Sequence, residues 1–406
     1  MNVIVAQSGG PTSVINASLA GVIDGAIKNK FDNVYLSIHG IEGIIKGEIV
    51  KVDKKKYKKE KIGEKLKARP SSILGSCRFK LPSSFEDEVF DRIFQRLKDY
   101  EIRTFIYIGG NDSMDTVMKL NQYMEEKSIE GINIIGCPKT IDNDLMEMDH
   151  SPGFGSAAKY IAKTMRCLRN DVDIYDLKSV TFVEIMGRNA GWLAASSLIA
   201  NYKRQKDVVN LVYLPEEEKS IDQILDEIKK ALERENNLIV AVAEGFRDKD
   251  AILEEDKFEN KSDCFGHKIV AGVASLLADL VRERLEIKSR HIELSIVQRT
   301  ALEISKTDAD EAYTLGYKAL EIGINKSNLI PVIKRSNNPE YCPSYQEVSP
   351  EKIANEEKKI PQEWLKDKAS LNKKMISYTL PLIQGEVKQV YKDGMPVFVD
   401  LKEFAN

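Results

Sequence analysis

Along the chain, short and almost wholly apolar runs alternate with longer stretches whose apolar residues recur every three or four positions. The runs are Val3–Ala6, Val34–Ile38, Thr104–Ile108, Ile132–Ile135, Ser179–Ile185, Leu238–Ala243 and Ile292–Val297. Rich in β-branched residues and without polar alternation, they predict parallel strands covered on both faces. The intervening stretches have readable helix starts. Ser84-Phe85-Glu86-Asp87 has the spacing of a capping box and precedes Phe90, Ile93, Phe94 and Leu97 on one helical face. Ser220-Ile221-Asp222-Gln223 repeats the device before Ile224, Leu225, Ile228 and Leu232. Strand–helix–strand alternation implies right-handed crossovers and doubly wound sheets, and seven strands suit two such sheets better than one.

Two segments depart from this pattern. Lys51–Arg69 carries ten basic residues, and a run of that kind reads as a solvated helix or loop. Beyond about Ile330, Pro331, Pro339, Pro343 and Pro350 mark irregular chain. The end of that region, Glu386–Tyr391 and Met395–Leu401 around Lys392-Asp393-Gly394, predicts a β-hairpin turning at Asp-Gly.

Composition narrows the function. The chain has 406 residues, 42% hydrophobic and 30% charged, with a formal charge of −3, a balance that argues against bulk nucleic-acid binding. No apolar run reaches the ~18 residues of a membrane span. The amino terminus enters a strand at once, without a basic leader, so a cytoplasmic protein is expected. Cys77, Cys137, Cys167, Cys264 and Cys342 are scattered, as are His39, His150, His267 and His291. That spacing forms no zinc site and predicts reduced cysteines in or near the core.

In open α/β sheets ligands gather where strands end, so the turns leaving the strands carry the chemistry. Four stand out. Ser8-Gly9-Gly10-Pro11-Thr12-Ser13 follows the first strand, and its glycines let backbone approach an anion, or simply make a tight turn. Gly109-Gly110-Asn111-Asp112-Ser113-Met114 offers oxygen ligands to Mg²⁺, or helix caps. Pro138-Lys139-Thr140-Ile141-Asp142-Asn143-Asp144 places a lysine, a hydroxyl and two carboxylates within a few residues, able to take a proton from an alcohol while neutralising phosphate. Met186-Gly187-Arg188 adds a guanidinium fork suited to phosphate. A dinucleotide-binding oxidoreductase is disfavoured, because no G-x-G-x-x-G follows the first strand.

Taken together, these turns resemble the phosphofructokinase family. Gly109–Ser113, Pro138–Asp144 and Met186–Arg188 match its three central motifs in order. Gly75-Ser76-Cys77-Arg78 looks like its phosphate-donor loop, Ala243-Glu244-Gly245 like its sugar-contact turn, and Arg290 with Ile296–Arg299 like its sugar-phosphate clamp. The resemblance runs from Ser8 to Arg299. It implies two doubly wound, mostly parallel α/β domains with the active site in the cleft between them, plus a C-terminal extension. The expected divisions are a larger domain over 1–150, completed by segments after about 300, a second over 151–300, and the extension over 330–406.

The resemblance also implies a donor. ATP-using members have glycine at the positions of Asp112 and Lys139, whereas Asp with Lys is the pattern of the pyrophosphate-dependent members. A carboxylate at Asp112 would repel a nucleotide's α-phosphate, and Lys139 supplies charge for a short pyrophosphate. Many members carry Asp where this chain has Asn111, and some use an arginine, reaching into a neighbour's site, where it has Ser179. The implied activity is reversible phosphoryl transfer from pyrophosphate to the C1 hydroxyl of fructose 6-phosphate, a glycolytic step, with Mg²⁺ as cofactor. The alternatives are an ATP-dependent kinase of the same fold and a non-catalytic regulatory subunit, which should lack Asp142 or Arg188. Asp142 would be the base, with Lys139 and Arg188 stabilising the transferring group. Gly10, Arg78, Asp112 and Lys139 would hold pyrophosphate, and Asn111 and Asp112 the metal. Thr140, Asp142, Met186, Gly187, Arg188, Glu244, Arg290 and Arg299 would hold the sugar phosphate. A homodimer or homotetramer is implied, with no nucleic-acid or membrane partner.

Overall fold

The computed structural model describes residues 1–250, 272–336 and 340–406. Cys264, His267 and Pro339 therefore lie outside the described residues. The first sheet contains β1 (Asn2–Gln7), β2 (Asn33–Ser37), β3 (Ile49–Lys51), β4 (Ile102–Gly109) and β5 (Asn133–Pro138), in the order β3-β2-β1-β4-β5. Only β3 runs antiparallel to its neighbour. The second sheet contains β6 (Ser179–Ile185), β7 (Leu211–Tyr213), β8 (Asn237–Ala243) and β9 (Lys288–Glu293), all parallel, in the order β7-β8-β6-β9. The chain is thus an α/β protein with two parallel-dominated sheets, as the alternation of runs requires.

Burial explains which strands were legible. Every residue of β1, β6 and β8 is buried, so these read as unbroken apolar runs. β9 is an edge strand with an exposed, polar sequence. The apolar run at Ile292–Val297 misplaces it: the strand ends at Glu293, Leu294 N–H donates to Glu184 O at 3.1 Å, and Ser295–Arg299 forms a 3-10 turn. The helix Glu88–Asp99 is capped by Asp87, whose side chain accepts from Val89 N–H, and not by Ser84. Its predicted face, Phe90, Ile93, Phe94 and Leu97, is buried. The capping box at Ser220–Gln223 forms as expected.

The lysine-rich segment folds into two short helices, Lys54–Lys59 and Ile62–Lys67, which bury Tyr57, Ile62 and Leu66 and leave most lysines outward. Helix Lys306–Gly323 packs on helix Ile15–Lys28 so closely that a Cβ on Gly21 would lie 2.0 Å from Tyr313 O, and one on Gly316 2.0 Å from Ser18 O.

The region beyond Ile330 is more regular than its prolines suggested. Strands β10 (Ile330–Arg335) and β11 (Pro343–Val348) pair antiparallel, Leu329 bridges Ile135, and helix Lys368–Thr379 follows. Its apolar residues are shared. Val332, Ile353 and Phe404 join the core beside the first sheet, whereas Ile360, Met375 and Leu382 join the core beside the second. The terminal hairpin pairs Tyr391–Lys392 with Met395–Pro396, shorter than expected, with Asp393 and Gly394 both at positive φ in the turn. Cys77 and Cys137 are buried, but Cys167 and Cys342 are exposed, which corrects the expectation for those two.

Candidate functional site

The carboxyl ends of both sheets open onto one cleft of about 760 Å³. From the first sheet come the turn after β1, the turn after β4 and the loop after β5. From the second come the turns after β6 and β8, together with Arg299. Strand order reverses around β1 and β4, where a doubly wound sheet leaves its crevice.

The first turn is shaped by a buried cation. Gly9 adopts φ +71°, its N–H donates to Cys77 O at 3.2 Å, and its carbonyl accepts from Ser76 Oγ at 2.6 Å. Lys139, 1% exposed, donates its ammonium to Ser8 O at 2.9 Å and Gly10 O at 2.7 Å. Burial lowers the Lys139 pKa to about 8, opposed by the carboxylate of Asp142. Arg299 reaches the same turn: a Cβ on Gly10 would sit 3.0 Å from its Nη1.

The loop after β5 presents the carboxylates. Asp142 N–H donates to Thr140 Oγ1 at 3.1 Å, and that hydroxyl lies 3.4 Å from Asp142 Oδ2. Burial raises the Asp142 pKa, with Arg299 and Lys139 pulling it back. Burial, then repulsion from Asp142, raises Asp144 to about 7. Glu244, at the end of β8, is likewise raised to about 7 by burial and then by Asp142. Here the backbones of the two turns touch: Gly245 N–H donates to Gly187 O at 3.2 Å, and a Cβ on Gly245 would fall 1.7 Å from Arg188 O. The glycine thus lets Glu244 and Arg188 share one wall.

Most of the expected residues meet. Gly10, Arg78, Asn111, Asp112, Lys139, Thr140, Asp142, Met186, Arg188, Glu244 and Arg299 all line the cleft. Gly187 stands behind the lining in the turn between Met186 and Arg188. Arg290 is not brought in; it lies on edge strand β9 and pairs with Asp171 at 3.3 Å. Ser179 is buried and donates to Asn237 Oδ1 at 2.7 Å. Asn111 is occupied at both ends of its amide: Oδ1 accepts from Asn355 N–H at 2.7 Å, and Nδ2 donates to Glu356 O at 2.6 Å. Asp112 is 71% exposed, 3.4 Å from Lys80.

Sequence reading missed four participants. Asp144 lay inside a quoted motif without a role. Asn355 and Glu357 line the cleft and Lys358 lies just behind it, on a segment more than 200 residues away. Nothing local marked that segment, because its contacts are made by backbone and by common polar residues.

Carboxylates, lysine and arginine cations and a glycine turn at the carboxyl ends of two α/β sheets make a cleft suited to phosphorylated ligands. The phosphofructokinase family model matches residues 2–322, and the chain belongs to the phosphofructokinase family. It is 37% identical, over 100% of its length and 97% of the relative's, to the pyrophosphate–fructose 6-phosphate 1-phosphotransferase of Xanthomonas campestris. It is 33% identical to the enzyme of that name from Halomonas elongata, over 97% and 94% of the two chains. Among solved structures, the pyrophosphate-dependent phosphofructokinase of Nitrosospira multiformis superposes with a TM-score of 0.86 at 32% identity, covering 100% and 97% of the chains.

Proposed function

We propose that the chain transfers a phosphoryl group from pyrophosphate to the C1 hydroxyl of fructose 6-phosphate, giving fructose 1,6-bisphosphate and phosphate. Asp142 takes the C1 proton as the oxygen bonds to phosphorus, and the bridging P–O bond breaks to release phosphate. A pKa raised by burial makes Asp142 a stronger base than an exposed aspartate. Lys139 and Arg188, which line the cleft with Asp142, stabilise the charge that spreads over the transferring group, the principal demand of such reactions. Arg78 and the Gly9-Gly10 turn hold the donor. Thr140, Met186, Glu244 and Arg299 hold the sugar phosphate.

The observation that carries the donor assignment is Lys139, buried under the Gly9-Gly10 turn, with Asp112 lining the same cleft. Initial rates with fructose 6-phosphate and Mg²⁺ against pyrophosphate, ATP and GTP test it. Turnover with pyrophosphate alone supports the assignment, and a preference for ATP overturns it in favour of the kinase alternative.

Mg²⁺ is proposed as the cofactor. The residues fit a metal that arrives with its phosphate: Asp112 and Asp144 offer hard oxygen ligands, while both ends of the Asn111 amide are engaged. Among the described residues no cluster of three or more His, Cys, Asp or Glu could hold an ion alone. When bound, the metal neutralises charge on the donor.

A homodimer or homotetramer is proposed with the second sheet as a contact face. Arg290 sits on an edge strand, and Ile174, Tyr175, Leu177, Ile296 and Val297 are exposed on the same unit. In such an assembly Arg290 serves a neighbour's cleft. The free thiols at Cys77, Cys137, Cys167 and Cys342 suit a reducing, cytoplasmic setting. Among the described residues no helix is long and apolar enough to cross a membrane.

A further inference from the structure

Residues 355–360 lie beyond the stretch that the family model matches, yet they strap the two sides of the cleft together. On the side of the first sheet, Asn355 N–H donates to Asn111 Oδ1 at 2.7 Å and Asn355 Nδ2 to Asp115 Oδ1 at 3.1 Å, both near the start of helix Asn111–Glu126. On the side of the second, Asn189 donates to Glu357, Trp192 Nε1 donates to Lys358 O at 2.8 Å, and Ile360 N–H donates to Glu216 Oε1 at 3.2 Å.

Between these anchors, Lys358 turns its side chain into the loop that follows β5. Its N–H donates to Asp144 O at 2.7 Å. Its ammonium donates to Asp149 O at 2.8 Å, to Met148 O at 3.1 Å and more weakly towards Asn143 Oδ1 at 3.5 Å. All three ammonium hydrogens therefore serve one loop. That loop holds Asn143 and Glu147 at φ +58° and +59°, conformations that side-chain-bearing residues adopt only with support. Burial lowers the Lys358 pKa to about 7, with Asp149 and Asp144 opposing the shift and Arg335 and Lys334 adding to it, and the Trp192 ring lies 5.1 Å away.

We propose that Lys358 is a positioning residue for phosphoryl transfer: it holds the loop Asn143–Asp149 from behind and so fixes Asp142 and Asp144 against the donor. The inference rests on Asp142 as the base. It concerns geometry at the reacting group and not ligand affinity, so its removal should act on kcat. Misplacement by about 1 Å can lower a rate by up to about 10²-fold.

The test is Lys358→Met and Lys358→Arg in the full chain, with both substrates titrated and folding checked by circular dichroism and melting temperature. Lys358→Met should lower kcat about tenfold or more while both KM values stay within about threefold, and Lys358→Arg should fall between it and the parent. If Lys358→Met does not fold, Trp192→Phe removes the bond to the strap carbonyl, together with part of the ring beside Lys358, and should lower kcat about threefold at unchanged KM. A folded Lys358→Met protein with kcat within about twofold of the parent overturns the proposal, as does a loss carried mainly by KM. So does an unaltered kcat in Trp192→Phe where Lys358→Met does not fold. Asp142→Ser, run alongside, separates the two readings: an active Asp142→Ser protein defeats the assignment of the base itself.

Discussion

The ammonium of Lys139 lies 2.7 Å from the carbonyl oxygen of Gly10, almost wholly out of contact with water. A charge in that position shapes the glycine turn, the proposed seat of the donor. Burial has brought its pKa down to about 8, so the charge is present at neutral pH and is lost as pH rises through 8. In the free enzyme, kcat/KM for pyrophosphate should therefore fall above about pH 8, while the sugar phosphate, for which Arg299 is the proposed partner, should show a shallower decline. A profile for pyrophosphate that stays flat from about pH 7 to 9.5 would remove Lys139 from donor binding.

Asp144 and Glu244 both reach about 7 from ordinary carboxyl values. Their folded pKa values lie above the unfolded ones, so between about pH 4 and 7 the native state binds more protons, and stability falls as pH rises through that window. Asp144→Asn, which cannot ionise, should melt about 1 °C above the ligand-free parent at pH 8, for each ~1 kcal/mol of relief, and close to it at pH 4.5. It should also turn over more slowly. Equal melting differences at the two pH values would show that the carboxyl ionises as freely in the fold as outside it.

Asp142→Ser should reduce kcat by about 10²-fold or more, the range for loss of a general base, with a much smaller change in KM for fructose 6-phosphate. Rapid-quench or steady-state rates suffice. A near-normal kcat would exclude Asp142 as the base.

What was legible in the sequence follows from burial. The strands β1, β4, β6 and β8 are nearly all apolar because helices cover both faces, and their terminal turns inherit fixed positions. The short edge strands β3 and β7 carry partly exposed residues and left no run to find, and β9 is polar enough that the apolar run at Ile292–Val297 misplaced it. Asp142 was legible because lysine, hydroxyl and carboxylate crowd one strand end. Lys358 was not, since its partners are the carbonyls of Met148 and Asp149, and a sequence does not display which carbonyls a distant lysine will meet.

The two arginines expected to clamp the sugar phosphate sit in different surroundings, and their variants should differ. Arg299→Ala removes a cation from the chain's own cleft and should raise KM for fructose 6-phosphate about tenfold or more, since a charge-assisted bond contributes on the order of 1.5–3 kcal/mol. Arg290→Ala should do so only where the protein is assembled, because the residue does not line its own cleft. The check is KM measured across a dilution series followed by light scattering. A rise in KM for Arg290→Ala that persists in the monomer would place its action within one chain.

Donor choice separates into repulsion of the wrong ligand and attraction of the right one. Asp112 stands at the start of helix Asn111–Glu126, exposed and lining the cleft, and its proposed part is to repel a phosphate that extends beyond the transferring pair. Lys139 lies under the glycine turn, buried where Asp112 is exposed, and its proposed part is in both binding and turnover of pyrophosphate. Asp112→Gly should raise the use of ATP relative to the parent with little harm to the fold, because its side chain makes one exposed ion pair, and such pairs contribute about 0–1 kcal/mol. Lys139→Gly should chiefly damage turnover with pyrophosphate, and part of that loss is structural, since the carbonyls of Ser8 and Gly10 lose their donor. The double variant should be a weak enzyme whose preference has moved towards ATP. The quantity to compare is kcat/KM for ATP divided by that for pyrophosphate, taken for all four proteins. If the ratio in Asp112→Gly equals that of the parent while circular dichroism shows an intact fold, the carboxylate does not exclude nucleotide. Discrimination would then have to arise from the shape of the cleft between Phe79 and Lys80 on one side and the strap at Asn355 on the other.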